Sequence, residues 1–258
     1  MRPRETEEER LVRELKTRWH VRVADIYAAR LERSSPDSTL FADGRQQILA
    51  IQDPLAIGGI ARVLSRGHAE VRLLMVEALG RLAADESTLN LVVVTLFDPE
   101  PRVRAAAAVA LIPRKDGRVV GRFRESLQSD EDAVMRNAAY ALGVLKAREA
   151  VADLARVLYS VERRTVRYKR SEVIGAVFDT FNRTAVAVWQ GQSLPYRPQT
   201  VSVLGSGTLV GTTWVNEVQD IKKFRTDVQE ALIAITGENF GFDAEAWIRW
   251  SRDHPLDE

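Results

Sequence analysis

Three stretches of the chain place apolar residues at the same offsets. Val71–Gly80, Val103–Ile112 and Val134–Gly143 align without gaps, at intervals of 32 and 31 residues. Each copy is apolar at its first, fifth and ninth positions, the i, i+4, i+8 stripe of one helix face. Small residues (Ala78, Ala107, Ala110, Ala138, Ala141) recur beside that stripe and let a neighbouring helix approach closely. A turn carrying Asp, Pro or Gly precedes each copy: Arg66-Gly67, Asp98-Pro99-Glu100-Pro101 and Ser129-Asp130-Glu131-Asp132. The acids in these turns are expected to cap the helices and complement their N-terminal dipoles.

Partner segments with the same helical spacing lie between the copies, at Pro54–Ser65, Glu86–Phe97, Arg118–Gln128 and Glu149–Tyr159. A repeating helix pair that cannot bury its apolar face alone is the unit of an α-solenoid. Upstream, Glu5–Arg33 reads as one long amphipathic helix with Leu11, Leu15, Trp19, Val23 and Ile26 as its apolar stripe. Its polar face mixes both charge signs, which suits a cap on the open end of the array better than a membrane-surface helix.

The pattern changes at about Val161. From there to Gln219 the chain is rich in Val, Thr and aromatic residues, and Thr165–Arg170, Thr184–Trp189 and Thr200–Leu204 alternate with a period of two. Gly191, Pro195, Pro198, Gly205 and Gly207 separate these runs, as in strands and hairpins. Val166-Arg167 falls where a fourth repeat helix would begin. However, Arg170 and Ser171 then occupy the small-residue positions, and an arginine buried in that seam would be costly. The match is degenerate or accidental on this reading. Helical character resumes over Lys222–Ile235.

The run Asp98…Val103-Arg104…Ala107-Ala108…Ala110-Leu111 resembles HEAT repeats of the short bacterial kind, over about residues 44–159. The copies depart from that pattern at Ile112 (usually Gly), at Met135 (usually Arg) and at Leu74-Met75-Val76, where small residues are usual. The ending is similar to that of many such proteins: a helix, then Thr236-Gly237-Glu238-Asn239-Phe240-Gly241, then a short helix with Trp247 and Trp250. The resemblance implies a mostly α fold, a right-handed α-solenoid of HEAT-like helix pairs with a β-hairpin insertion in the last repeat. It implies that the two tryptophans cover the terminal apolar face. It also implies that Arg72 and Arg104 pair with turn acids of neighbouring units, Asp98 or Asp130. Four segments follow: an N-terminal capping helix (1–33), helical repeats (34–159), a β-rich insertion (160–221) and a closing helix with its tryptophan-bearing cap (222–258).

Composition narrows the chemistry. The chain has 258 residues, a net charge of +1 and no cysteine, so disulfides and thiolate chemistry are excluded. His20, His68 and His254 are far apart, none with a second His one turn away, and no metal site is expected. No window offers the roughly 20 apolar residues of a membrane span. A cytoplasmic location is the expectation, and an exported protein already relieved of its signal peptide would fit the same residues. Metal hydroxylases of related architecture require His-Glu pairs on successive helices, which this chain lacks. Helical-repeat glycosylases require a basic groove, against which the balanced charge of the repeats argues. Bilin lyases share the repeat length, but no residue here carries their chemistry. Gly205–Gly211 lacks the Lys-Ser/Thr of a phosphate loop and reads as a glycine-rich hairpin turn. No catalytic residue and no cofactor are therefore expected.

The expected function is binding. Positions three, four and seven of the motif point away from the alanine-leucine seam. They carry Leu73, Leu74 and Glu77, then Ala105, Ala106 and Val109, then Arg136, Asn137 and Tyr140. In a solenoid such second helices line the concave side, the extended surface these folds use. Tyr and Arg are frequent interface hot spots. The expected contact patch for a protein partner is Arg136 and Tyr140 with Arg167 and Arg170 of the insertion. Residues 160–225 carry ten bases against five acids (Glu162, Glu172, Asp179, Glu217, Asp220). These bases either keep exposed sheet edges from pairing or make the insertion a nucleic-acid-binding module, the alternative reading.

Overall fold

A computed structural model describes residues 6–179, 185–189, 200–204 and 208–255, with side chains over 6–170 and 214–255. The chain divides into a helical unit, residues 1–159 with 224–258, and a sheet unit, residues 160–223.

The helices pair in sequence order. α1 (Glu7–Ile26) precedes α2 (Thr39–Leu49), and α3 (Ile57–Leu64) precedes α4 (Ala69–Arg81). α5 (Asp85–Phe97) and α6 (Pro101–Leu111) follow, then α7 (Gly117–Ser126) and α8 (Asp132–Val144). α9 (Val151–Arg156) is separated from α10 (Thr226–Thr236) by the sheet unit, and α11 (Ala244–Asp253) closes the chain. Second helices stack on one another in the order α2, α4, α6, α8, α10, while α1, α3, α5 and α7 form the other layer and α11 packs on α9. This is an α-solenoid with a β insertion between the helices of its last pair.

The seam between the layers is where the repeated motif lies. Leu79, Leu111 and Leu142 are all buried there, as are Val71, Val103 and Val134 at the start of each helix. Gly143 permits a close approach of its own: a Cβ there would stand 3.1 Å from the Ala231 Cα, so α8 and α10 meet almost backbone to backbone. Trp247 is fully buried and donates its indole N–H to the Gly241 carbonyl at 3.0 Å. Trp250 packs at the edge of the core, stacked on His254 and approached by Arg148.

Several expectations need correction. The N-terminal helix spans Glu7–Ile26 and ends in a π turn at Tyr27–Leu31. Its stripe is not uniformly buried: Leu11 is 58% exposed, whereas Val23 and Ile26 are in the core. Only the second half of α1 lies tightly on α3, where a Cβ on Gly59 would come within 3.1 Å of the His20 Cα. The indole N–H of Trp19 fixes this half by donating to Asp53 at 2.7 Å. The first half carries a capping box, Thr6 with Glu9, and pairs its Lys16 with Glu86 at 3.5 Å.

The turn acids do not cap the repeat helices in the expected way. The N-caps of α4, α6 and α8 are His68, Glu100 and Glu131, none with a side-chain cap bond. Asp98 instead folds its own turn, accepting from the Glu100 N–H at 2.9 Å. Leu74, expected to point away from the seam, is 2% exposed, because the larger side chains of the first copy fill that position inward. Helix does not resume at Lys222. Strand continues to Phe224, and the Arg225 N–H still donates to the Leu158 carbonyl at 3.0 Å before α10 begins.

In the sheet unit, β1 (Tyr159–Asp179), β2 (Ala185–Trp189), β3 (Thr200–Leu204) and β4 (Thr208–Phe224) form one sheet in the order β2-β1-β4-β3. β2 pairs antiparallel with only the far end of β1, from Gly175↔Trp189 to Asp179↔Ala185. β3 pairs likewise with the start of β4, from Thr200↔Thr212 to Leu204↔Thr208. Val166-Arg167 therefore sits in a strand, as the misfit of Arg170 and Ser171 to a helix seam required. The expected glycine turn at 205–207 lies outside the described residues, and Gly211 is within β4.

Candidate functional site

The end of α5 and the start of α6 make one wall of a groove in the helical unit. The wall is fixed by arginines. Arg72 is largely buried and grips Asp98 in a two-point pair, Nε to Oδ2 at 2.8 Å and Nη2 to Oδ1 at 3.1 Å. Its remaining nitrogen donates to the Gly67 carbonyl at 2.9 Å. This is the neighbouring-unit pairing expected for Arg72. Arg104 behaves differently: it donates to the backbone carbonyls of Asp98 and Pro99, at 2.8 and 3.1 Å, and not to Asp130. A guanidinium can satisfy carbonyl oxygens as readily as a carboxylate, and the turn presents those carbonyls directly. The turn is thus held from both sides.

A third arginine organises the preceding turn. Arg114 donates to the carbonyls of Leu79, Gly80 and Leu82 at 2.9–3.1 Å, where α4 has run out of its own donors. Sequence reasoning gave no sign of this, because Arg114 stands after the motif and its acceptors are backbone atoms more than thirty residues away.

The opposite wall is α8, with the first turn of α10 beyond it. Asn137 crosses the base of the groove and donates to the Leu96 carbonyl at 2.8 Å. Together these elements enclose about 790 Å³, lined by Leu96, Phe97, Pro99, Pro101, Ala105 and Val134 on the apolar side and by Arg102, Arg104, Arg136 and Glu131 on the polar side. Two aromatic residues stand at its edge: Phe97, 59% exposed, and Tyr140, 47% exposed. Both are large apolar surfaces left in water, the kind of exposure that marks interaction sites when it clusters.

Asp227, in the first turn of α10, also lines the groove. Its Oδ2 is shielded from water and has no hydrogen-bond partner; the Arg136 Nε lies 3.9 Å away, too far for a hydrogen bond. Arg136 itself donates to the Asp132 carbonyl at 3.3 Å.

Of the four residues expected to contact a partner, Arg136 and Tyr140 meet in this groove. Arg167 and Arg170 belong to β1 in the sheet unit. Residues three apart on a strand face opposite ways, so these two arginines do not share a face. Phe97 and Asp227 were missed. Phe97 continues the spacing of Leu89 and Val93, an apolar period that reads from sequence as core, yet all three are exposed.

A second groove, of about 890 Å³, runs between α1 and α3 and is lined by Val12, Lys16, His20, Leu55 and Glu86. It has no aromatic edge, and Lys16 and Glu86 are already paired at 3.5 Å. On the α5–α7 side, Arg118 joins Asp116 and Asp85 at 2.8 and 2.9 Å. Hydrogen bonds from the Arg118 side chain, then from its backbone N–H, hold the Asp116 carboxyl below the usual aspartate value, and the same carboxylates hold the Arg118 guanidinium more firmly protonated. Among the described residues no group of three or more His, Asp or Glu side chains is arranged to hold a metal ion, and no helix is long and apolar enough to cross a membrane.

Residues 59–143 match the family model for HEAT repeats. The chain carries HEAT repeats. The matched span runs from α3 to the last turn of α8 and so contains all three copies of the motif, with the Arg72–Asp98 pair inside it. HEAT repeats commonly mediate protein–protein interaction, and theirs is generally a non-catalytic scaffold fold. No curated protein matches the chain significantly.

Proposed function

We propose that this HEAT-repeat chain is a non-catalytic scaffold or adaptor, and that a protein partner docks in the groove between the α5–α6 turn, α8 and α10. The observation that supports this reading is that exposed Phe97 and Tyr140 line one partly apolar groove whose turn is already clamped by Arg72 and Arg104. A clamped wall loses little freedom on binding, which favours affinity. Aromatic and arginine side chains, here Phe97, Tyr140 and Arg136, are among the types that dominate interface energetics.

The test is site-specific crosslinking in the source cell. A photoreactive residue at Phe97 or Tyr140 is expected to trap one protein, and the same residue at Arg124, on α7, is expected not to trap it. Equal trapping from both positions would refute the assignment of the groove.

A further inference from the structure

The sheet unit carries a second binding surface of different chemistry. Between Ser160 and Arg170 on β1, and Trp214 and Lys223 on β4, no residue is buried. These stretches lie outside the pairings with β2 and β3, so they form a two-stranded ribbon. They hold seven bases (Arg163, Arg164, Arg167, Lys169, Arg170, Lys222, Lys223) and three acids (Glu162, Glu217, Asp220). The whole chain is nearly neutral, so this charge is local.

The charge is also unequal between the two faces. Side chains alternate along a strand, and the Arg163–Asp220 contact at 3.2 Å and the Lys169–Trp214 contact at 5.2 Å show which residues of β1 and β4 share a side. One face carries Arg163, Arg167, Lys169 and Lys222 against the single acid Asp220. The other carries Arg164, Arg170 and Lys223 against Glu162 and Glu217. On that second face Glu162 pairs with Arg164, and Glu217 accepts from the Tyr168 hydroxyl, a bond that pushes the phenol pKa up. The cationic face also holds Trp214, 43% exposed, with Arg167 and Lys169 over its ring at 4.8 and 5.2 Å.

Protection of sheet edges against aggregation calls for charge on the edge but not for a preferred face, and an exposed tryptophan works against it. Cations in line with an aromatic platform are what single-stranded nucleic acid uses: phosphates meet the cations and a base stacks on the ring. Arg167 and Lys169 are two residues apart and therefore about 7 Å apart along the strand. We propose that the face formed by Arg163, Arg167, Lys169, Lys222 and Trp214 binds single-stranded nucleic acid through its phosphodiester backbone and one stacked base. This surface is independent of the groove in the helical unit.

Fluorescence anisotropy of the full chain with a labelled 20-nucleotide oligo-U or oligo-dT tests it. With four phosphate contacts, affinity is expected to fall about 50-fold between 50 and 200 mM salt. Arg163→Ala with Lys222→Ala should weaken binding and flatten that dependence. Trp214→Ala should weaken binding about tenfold or more at unchanged salt dependence, and Trp214→Phe should restore most of it. Arg164→Ala with Lys223→Ala, on the opposite face, should change affinity less than about twofold on the same basis. All these positions are exposed, and circular dichroism would check each variant's fold. Absence of binding at 50 mM salt, equal loss from the opposite-face variant, duplex bound as tightly as single strand, or equal competition by poly-glutamate would each overturn the proposal.

Discussion

The Arg72–Asp98 pair offers the sharpest test of how the repeats are tied together. Asp98 has a side chain only 6% exposed and Arg72 one 15% exposed, so water does little to screen the pair. Removing one partner of such a pair leaves a charge without its counter-charge, at a cost of about 3–5 kcal/mol. Arg72 keeps the Gly67 carbonyl and some access to solvent, so Asp98→Asn should fall near the lower figure, about 3 kcal/mol. Arg72→Met strands the more deeply buried carboxylate and should cost somewhat more, about 4 kcal/mol. The double variant removes both charges together and should be less destabilised than the sum of the two by about 2 kcal/mol. Urea melts at pH 7, compared at equal m-values, measure all three. The coupling should survive high salt, because a buried pair is poorly screened. Additive effects within about 0.5 kcal/mol would mean that the two side chains do not interact as the structure has them.

Three further outcomes follow from the same packing. Leu111→Ala, in a seam whose neighbours are alanines too small to fill the void, should cost about 2–5 kcal/mol in urea melts, while exposed Arg136→Ala should cost under about 0.5 kcal/mol; the reverse ranking would refute the repeat register. Arg114→Ala leaves the carbonyls at the end of α4 without the one nitrogen, Nη2, that donates to all three, and should destabilise by about 1–3 kcal/mol in urea melts; a change within about 0.5 kcal/mol would contradict the geometry. The Asp116 carboxyl is held below its unfolded value, so its contribution to stability is present above about pH 4 and is lost as pH falls through its lower folded value. Melting temperatures between about pH 5 and about pH 2.5 should therefore drop less in Asp116→Asn than in the unaltered protein, and an equal drop would refute the assignment.

The repeats were legible in the sequence because their signal is local and periodic. Val71, Val103 and Val134 begin equivalent helices, and the leucines eight residues on share one seam. The insertion was legible for a similar reason: alternation in Thr165–Arg170 and the misfit of Arg170 to a helix seam excluded a fourth motif helix there. Its last residues were misread because Lys222 and Lys223 fit a helix or a strand equally well, and the Arg225–Leu158 hydrogen bond that decides between them spans 67 residues.

The groove was half legible. Arg136 stood out because the other copies have Leu73 and Ala105 at its motif position, and Tyr140 because it is the one aromatic where the others have Glu77 and Val109. Phe97 and Asp227 did not stand out, because each becomes significant only through a distant neighbour. Asn137 meets Leu96 across 41 residues, and Asp227 reaches the groove only because the chain returns to α8 after the whole insertion. The capping expectation failed for a related reason. The turn acids are short side chains with several donors in reach, and Arg72, a residue of the preceding unit, competes successfully for Asp98.

The groove is the centre of the functional account, and one titration addresses it directly. With the crosslinked partner in hand, its affinity would be measured by calorimetry for the unaltered chain and for Tyr140→Ala, Phe97→Ala and Arg124→Ala. The account predicts a loss of at least about 1–2 kcal/mol for each groove variant and a change within about 0.5 kcal/mol for Arg124→Ala. Groove variants that bind as tightly as the unaltered chain, with affinity lost in Arg124→Ala instead, would contradict it.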